Sequence, residues 1–152
     1  MQFTTAILAT LLSATTISAA PVGASGPVSA SPSASAAATP TWTFESVRRV
    51  CNEADTRCVW TFLINTGYDR ASCALEITGA PASQASQSTP ALCHYFSVTA
   101  GWSAQFGADA GFTTLAVKSN SDGSMAWPAY SDAEVAGGQV VTPDKSFAVT
   151  LA

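Results

Sequence analysis

Residues 58–64 read CVWTFLI, and this stretch decides the fold. Apolar side chains stand at every second position, on Cys58, Trp60, Phe62 and Ile64. An extended backbone places side chains two residues apart on the same face, whereas a helix would scatter them. The polar sequence Asn65-Thr66-Gly67 ends the run. The stretch therefore predicts a β-strand with one buried face.

Similar short runs follow one another on both sides of this strand, separated by turn sequences. They cover residues 42–50, 73–78, 93–99, 102–106, 112–118, 124–127 and 146–151. Ala100-Gly101 predicts a turn within this series, and Asp122-Gly123 predicts a tight hairpin because glycine tolerates a positive φ. Residues 80–91 are rich in Ser, Gln, Ala and Pro, which predicts a loop.

Alternation within two of these runs assigns individual side chains to a face. Trp42, Phe44 and Val50 are separated by even numbers of residues, which predicts that they share one side of the first strand. His94 has the same register as Phe96, so we expect it to be a strand side chain.

One short helix is expected among the strands. Ser131 and Glu134 have the spacing of a capping box, in which a hydroxyl and a carboxylate accept hydrogen bonds from free amides of the first turn. Gly137 stands where a C-terminal cap belongs. The whole pattern over residues 41–152 predicts an all-β fold, a single-domain antiparallel β-barrel or sandwich with one short helix.

Four cysteines predict two disulfide bonds in an oxidising compartment: Cys51, Cys58, Cys73 and Cys93. We prefer Cys51–Cys58 with Cys73–Cys93, because a polar turn between Cys51 and Cys58 would place these two opposite each other in a hairpin. The two other pairings stay open. The spacings match none of the short paired spacings of zinc sites, so no metal site is expected.

The first forty residues predict export followed by a spacer. Residues 1–20 carry no charged side chain, contain a short apolar stretch and end in Ser18-Ala19-Ala20. This pattern is typical of a signal peptide cleaved after Ala20, and its apolar stretch is far shorter than the ~20 residues of a membrane span. Residues 21–40 contain only Ala, Ser, Pro, Gly, Val and Thr, which predicts a disordered linker. We therefore expect a secreted, extracellular protein.

The charge balance disfavours several partner classes. The 152 residues carry 10 acidic and 6 basic side chains, for a net charge of −4. Nucleic-acid binding requires a basic surface, so we expect no nucleic-acid partner. The chain's glycines lack the Lys-Ser/Thr that completes a phosphate-binding loop, and no cofactor is expected. We interpret Arg48-Arg49 as surface charge on a strand.

Candidate catalytic groups are few. His94 is the one histidine of the chain, and an imidazole without a second acid–base group is a poor basis for a hydrolase. Glu45 and Glu76 fall within predicted strands, where two carboxylates on one face could act as a glycosidase pair. The simpler interpretation is cross-strand salt bridging to arginines, namely Arg48, Arg49 or Arg57. We expect no enzymatic activity and no catalytic residue.

Exposed aromatic residues offer a binding role. Trp42 and Trp60 keep the register of their apolar neighbours, which predicts core positions. Trp102 follows a glycine, and Trp127 and Tyr130 lie at a strand end, so we expect these three rings on the surface as binding residues. Amphipathic rings dominate protein interfaces and also stack on sugar faces, and the sequence does not separate the two uses.

Several strings of structural residues carry a family likeness. They are Trp42-Thr43-Phe44-Glu45-Ser46-Val47, Asp55-Thr56-x-Cys58-x-Trp60, Gly101-Trp102-Ser103-x-Gln105-Phe106-Gly107, Gly111-Phe112-Thr113-Thr114-Leu115 and Trp127-Pro128-Ala129-Tyr130. They resemble small secreted proteins of filamentous ascomycetes, in particular those of the hypersensitive-response-inducing elicitor type. The resemblance covers about residues 41–152 and all four cysteines. It implies an extracellular β-rich protein that plant cells detect, and it supplies no catalytic residue.

Compartment, fold and resemblance together predict a non-enzymatic secreted effector or elicitor. We expect it to act at the host–fungus interface and to induce plant defence or a hypersensitive response. Its expected partner is a host plant cell-surface protein or a cell-wall component. A cell-wall carbohydrate-binding protein is the alternative, and a glycoside hydrolase is the third hypothesis.

Overall fold

The computed structural model describes residues 39–151, which form nine β-strands and three 3-10 helices. The strands are β1 (Thr41–Cys51), β2 (Arg57–Asn65), β3 (Arg70–Thr78), β4 (Gln87–Cys93), β5 (Phe96–Ser103), β6 (Phe112–Ser119), β7 (Met125–Ala126), β8 (Ala129–Ser131) and β9 (Lys145–Ala148). The 3-10 helices cover Ala82–Gln84, Ala108–Ala110 and Ala136–Gly138. The predicted signal peptide, and the predicted linker up to residue 38, lie outside the described residues. Nowhere in residues 39–151 is a helix long and apolar enough to cross a membrane.

Two antiparallel sheets form a sandwich. A four-stranded sheet has the order β3-β2-β1-β9, and a five-stranded sheet has the order β4-β5-β6-β7 with β8 paired to β6. The sheets are not closed into a barrel, so the sandwich is the correct one of the two predicted architectures. Buried and exposed residues alternate along β2 and β3, as CVWTFLI predicts.

The core lies between the sheets and is built from their inward faces. Its largest fully buried side chains include Trp60, Tyr130, Phe44, Ile64, Leu75, Ile77 and Leu115. Trp42 and Phe96 join the two sheets in an edge-to-face contact with ring centroids 5.2 Å apart. The predicted core positions of Trp42 and Trp60 are confirmed.

Both predicted disulfide bonds are present, Cys51–Cys58 and Cys73–Cys93. Cys51 and Cys58 are direct partners on β1 and β2, so their bond staples a hairpin within one sheet. The Cys73–Cys93 bond joins β3 to β4, which belong to different sheets. This second bond therefore ties the two halves of the sandwich together at one edge.

A β-bulge in β1 reverses part of the predicted face assignment. The register with β2 shifts within residues 45–48, where Ser46 takes a φ of 52°. The extra residue turns Val47 and Arg49 inward and leaves Val50 47% exposed. The prediction that Val50 faces inward is wrong, and so is the surface position predicted for Arg49.

Two segments form more β-strand structure than the sequence predicts. Residues 80–91, predicted as a loop, contain a 3-10 helix and most of β4. Pro90 is tolerated there because β4 is an edge strand, which needs hydrogen bonds on one side only. The turn predicted at Ala100-Gly101 is wrong as well, because Gly101 pairs with Thr114 and β5 continues through it.

His94 lies in a tight turn and not, as predicted, on a strand. Cys93 and Phe96 already pair across β4 and β5, which leaves His94 and Tyr95 as the two turn residues. His94 takes a φ of 58°, a left-handed conformation outside the range of regular β-strand backbone.

The predicted helix is reduced to turns and a 3-10 helix. Its capping box forms as expected, since the Ser131 amide donates to the Glu134 carboxylate and the Glu134 amide donates to the Ser131 hydroxyl. The segment beyond it reaches only the short 3-10 helix at Ala136–Gly138, where Gly137 and Gly138 take φ values of 65° and 75°. These left-handed residues prevent an α-helix from propagating.

Candidate functional site

Tyr130 is 1% exposed, so its predicted surface position is wrong. It pairs with Thr113 of β6, and its ring lies 6.2 Å from that of Trp60 in the core. Among the described residues, its hydroxyl has no hydrogen-bond partner. Burial raises the pKa of this phenol, and the charges of Glu134 and Asp144 raise it further. Tyr130 is therefore a neutral core residue that a binding partner does not reach.

Trp102 is half-buried rather than fully exposed. Its indole Nε1 donates a 2.9 Å hydrogen bond to Asp132 Oδ2. The ring also covers Gly111, where an added Cβ would lie 3.1 Å from the indole and 2.4 Å from the Asp132 carboxylate. Trp102 is consequently part of a packed cluster and offers a partner only one edge of its ring.

The same cluster contains a buried ion pair that links the two sheets. Arg49 of β1 donates a 2.6 Å hydrogen bond to Asp132, which follows β8, and the Arg49 side chain is 8% exposed. The same Nη1 donates to the Ser83 carbonyl at 2.9 Å, and the guanidinium lies 5.6 Å from the Trp60 ring centroid. The sequence did not reveal this pair because the bulge at Ser46 reverses the direction in which Arg49 points.

Trp127 lies on the surface, as predicted, with 45% of its area exposed. The residues on either side of it, Ala126 and Pro128, are buried, so the indole faces away from the core of the five-stranded sheet. On the outer side of this sheet Phe106, which is 73% exposed, stacks on Phe112 with centroids 5.8 Å apart and an interplanar angle of 27°. We call Phe106, Phe112 and Trp127 the aromatic face.

The two strand carboxylates considered for glycoside hydrolysis do not meet. Glu45 lies opposite Leu63, which in turn lies opposite Ser72. Ser72 precedes Glu76 by four residues on β3, a distance of about 13 Å along the strand. Acid–base pairs of glycosidases lie about 5 to 9.5 Å apart, so this arrangement does not support that chemistry.

Both carboxylates pair with arginines instead. Glu76 accepts a 2.6 Å hydrogen bond from Arg57, as predicted, and Glu45 accepts one of 2.9 Å from Arg70, which was not among its predicted partners. The Arg57 hydrogen bond, with the arginine's charge as a smaller contribution, lowers the pKa of Glu76. A glycosidase acid requires the opposite shift.

A group of potential metal ligands lies at the β1–β2 turn. Ligand atoms of Cys51, Asp55 and Cys58 lie within 4.8 Å of one another. The two sulfurs are bonded to each other and are not thiolates, which metal coordination would require. Asp55 instead accepts a 2.8 Å hydrogen bond from the Ser83 amide and anchors the neighbouring loop.

A cleft of about 330 Å³ lies at one end of the sandwich. Three turns converge there, at residues 66–69, 94–95 and 120–124, beside the entry of the chain into β1. The Asn120 amide donates a 2.8 Å hydrogen bond to the Tyr95 carbonyl and holds two of these turns together. Its lining includes Trp42, Tyr68, Asp69, Tyr95, Phe96 and Asp122. We call this site the end cleft; its volume is at the lower limit of small-molecule sites.

Aromatic rings form the floor and the rim of the end cleft. Trp42 and Phe96 are almost completely buried and supply the floor. Tyr95 is 41% exposed and Tyr68 is fully exposed, so both stand at the rim. The Tyr95 hydroxyl donates a hydrogen bond to the Asp69 carboxylate, which fixes the ring beside the cleft.

The carboxylates of the end cleft are ionised at lower pH than usual. The hydrogen bond from Tyr95 lowers the pKa of Asp69, and a hydrogen bond from the Arg70 amide lowers it further. The same contact raises the pKa of Tyr95, which therefore stays a neutral donor. Hydrogen bonds from Ser119 and then Ser124 lower the pKa of Asp122. None of these groups is buried, so each is available to a ligand.

The residues of the end cleft form no sequence motif, so the cleft could not be predicted from the sequence. Tyr68, Asp69 and Asp122 each look like an ordinary turn residue. One signal was present, since alternate turns of an antiparallel meander fall at the same end of a sheet. The meeting of turns from two different sheets depends on how the sheets pack, which turn sequences do not specify.

Comparisons with known proteins agree with one another. The family model described as Effector TSP1 matches residues 43–151, which is almost the whole described chain. The protein named Effector TSP1 from Hypocrea virens is 42% identical over 150 residues, covering 97% of each chain.

Proposed function

The chain belongs to the Effector TSP1 family, a family of fungal effectors, and from this premise we propose that it is secreted and acts at the host–fungus interface. In this proposal it induces plant defence or a hypersensitive response through contact with a host plant cell-surface protein or cell-wall component. The observation that carries the proposal is the 42% identity with the Hypocrea virens effector over 97% of both chains.

Two structural features support action through the surface without enzymatic activity. Glu45 and Glu76 are separated and paired with arginines, and His94 stands in a turn and not on the strand predicted for it. Two disulfide bonds staple the sandwich, which suits a protein that keeps its shape outside the cell. Of the three rings predicted to bind, Trp127 is the one whose ring is well exposed, and we propose it as a contact residue.

Purified protein infiltrated into leaves is expected to induce cell death or an oxidative burst. The Trp127→Ala variant should give a weaker response, because truncation of an interface aromatic commonly weakens binding by about tenfold or more. Leu92→Ala removes another exposed apolar side chain, which is 77% exposed on β4 and lies outside both the aromatic face and the end cleft, and serves as the control. The readouts are ion leakage and the burst of reactive oxygen. The absence of a response in several host species would contradict the elicitor role.

Carbohydrate binding is the second candidate, and the aromatic face favours it. Phe106 and Phe112 stack on each other, Trp127 is exposed on the same sheet, and exposed rings of this kind can stack on sugar faces. No charged group is needed for such stacking, which relies on apolar contact.

Saturable retention on insoluble chitin or β-glucan is the expected result if the aromatic face binds wall sugars. Trp127→Ala should then lose most of the retained fraction in a pull-down assay. Trp102→Ala is a poor test, because it also removes the hydrogen bond to Asp132. Retention of wild type and Trp127→Ala to the same extent would refute this use of the aromatic face.

A further inference from the structure

The end cleft is independent of the aromatic face and of the proposed effector role. It lies where β1 begins and β5 begins, and its residues come from both sheets. Its walls combine two kinds of group, aromatic rings and ionised carboxylates, within a volume of about 330 Å³. A volume of this size fits a small ligand or a single side chain of a partner.

Several hydroxyls of the end cleft already make hydrogen bonds within the protein. Ser119 and Ser121 share a 2.8 Å hydrogen bond. The Tyr95 hydroxyl donates to Asp69, and the Thr66 hydroxyl accepts from the Asp69 amide at 3.1 Å. A sugar would compete for these hydroxyls. The groups left for recognition are therefore ring faces and the further lone pairs of the carboxylates.

The charged side chains that line the end cleft are both acidic. Its described lining contains Asp69 and Asp122 but neither lysine nor arginine. Arg70 follows Asp69 in the chain but is paired with Glu45 at 2.9 Å. His94 is the other nearby titratable group, and its ring packs against Tyr95 with centroids 3.8 Å apart. The field inside the cleft therefore favours a cation.

Aromatic faces add to this preference. The face of a tyrosine or tryptophan ring carries negative electrostatic potential and attracts an ammonium group within about 6 Å. Tyr68 and Tyr95 stand at the rim. Tyr68 precedes Asp69 in the same turn, and the Tyr95 hydroxyl donates a hydrogen bond to Asp69. A cation that enters the cleft beside Asp69 would approach these rings and the carboxylate together, the combination found in aromatic cages for quaternary ammonium.

We propose that the end cleft binds an organic ammonium ion, held by the faces of Tyr68 and Tyr95 and by the carboxylates of Asp69 and Asp122. The ammonium group comes either from a free organic ammonium compound or from a lysine side chain of a partner protein. Both sources present the same chemistry, a cationic nitrogen on an aliphatic stem.

The test is an NMR titration of the mature protein with matched charged and neutral ligands. Choline is compared with 3,3-dimethylbutan-1-ol, its uncharged isostere, and N-acetyl-lysinamide is compared with N-acetyl-norleucinamide. We expect saturable shifts at Tyr68, Asp69 and Tyr95 with the charged members and binding about tenfold weaker with the neutral ones. Tighter binding of choline would identify a free ammonium compound as the source, and tighter binding of the lysine derivative would identify a side chain.

Two variants make the assignment specific. Asp69→Asn removes the charge and keeps an oxygen that accepts the 2.7 Å hydrogen bond from the Arg70 amide, while its new amide nitrogen donates to the Tyr95 hydroxyl in place of the bond that Asp69 accepts. It should weaken ammonium binding about tenfold, whereas Asp109→Asn, the same change at the other end of the sandwich, should leave binding unchanged. Tyr68→Ala, at a fully exposed position that carries no packing, should weaken binding without affecting the fold.

The following results would overturn the proposal. They are equal binding of charged and neutral isosteres, no saturable shift with any ammonium ligand, and unchanged ammonium binding by a folded Asp69→Asn protein. Preferential binding of a neutral sugar over every ammonium ligand would also overturn it. None of these results bears on leaf responses, so the outcome is distinguishable from failure of the effector role.

Discussion

Replacing Cys73 and Cys93 together by alanine is expected to lower the free energy of unfolding by about 3 kcal/mol. The bond joins residues 20 positions apart and connects β3 to β4, so its loss frees the unfolded chain and unties one edge of the sandwich. Both cysteines are buried, and their truncation leaves a small cavity that adds to the loss. Urea unfolding followed by tryptophan fluorescence measures the change.

The matched control is the Cys51→Ala, Cys58→Ala double variant. This bond spans 7 positions within one hairpin, where the β1–β2 ladder already holds the strands together. Because its loop is shorter, the chain-entropy model predicts that removing this bond lowers the free energy of unfolding by about 1 kcal/mol less than removing Cys73–Cys93. A larger loss for the hairpin bond than for Cys73–Cys93 would contradict the view that the second bond unites the two sheets.

Asp132→Ala is expected to destabilise the protein by about 3 kcal/mol, because it leaves the Arg49 guanidinium buried without its carboxylate. The same change removes the acceptor of the Trp102 indole hydrogen bond. We place the value at the low end of the range for buried pairs, since the Asp132 side chain is 29% exposed. The measurement is again urea unfolding.

A double-mutant cycle separates the ion pair from general packing loss. Arg49→Met combined with Asp132→Ala removes both charges and should recover part of the stability that Asp132→Ala loses. Glu76→Ala, which breaks the solvent-exposed pair with Arg57, is the surface control and should give no measurable change. If Asp132→Ala were as mild as Glu76→Ala, the Arg49 pair would not hold the sheets together.

Periodicity was sufficient to predict an all-β fold of antiparallel strands. CVWTFLI and the runs around it identify β2, β3, β5 and β6, because a half-buried strand requires side chains of alternating character. The same reasoning predicts both disulfide bonds, since Cys51 and Cys58 flank a hairpin turn. Choosing a sandwich over a barrel depends on sheet closure, which single strands do not encode.

Local conformations limited the prediction of individual side chains. One left-handed residue, Ser46, shifts the register and buries Arg49, although nothing in the sequence around Ser46 indicates a bulge. Tyr130 lies just after the strand end predicted around Trp127 and looks exposed in the sequence, yet β8 pairs with β6 and turns it into the core. Long-range pairing decides both positions.

The end cleft illustrates the same limit for function. Tyr95 and Asp69 are 26 residues apart and meet through a hydrogen bond between turns of different sheets. A chain without a catalytic motif can therefore still carry a chemically specific cleft, which only the packing of the sandwich creates.

The central claim is that this chain is exported and works as a disulfide-locked sandwich. It is tested most directly by the intact mass of the protein recovered from the culture medium of its producer, after treatment with iodoacetamide but without a reductant. We predict a chain that begins at Pro21, carries no alkyl group and has lost four cysteine hydrogens. Alkylated thiols on the recovered protein, or its retention inside the cells with an intact leader, would contradict the account.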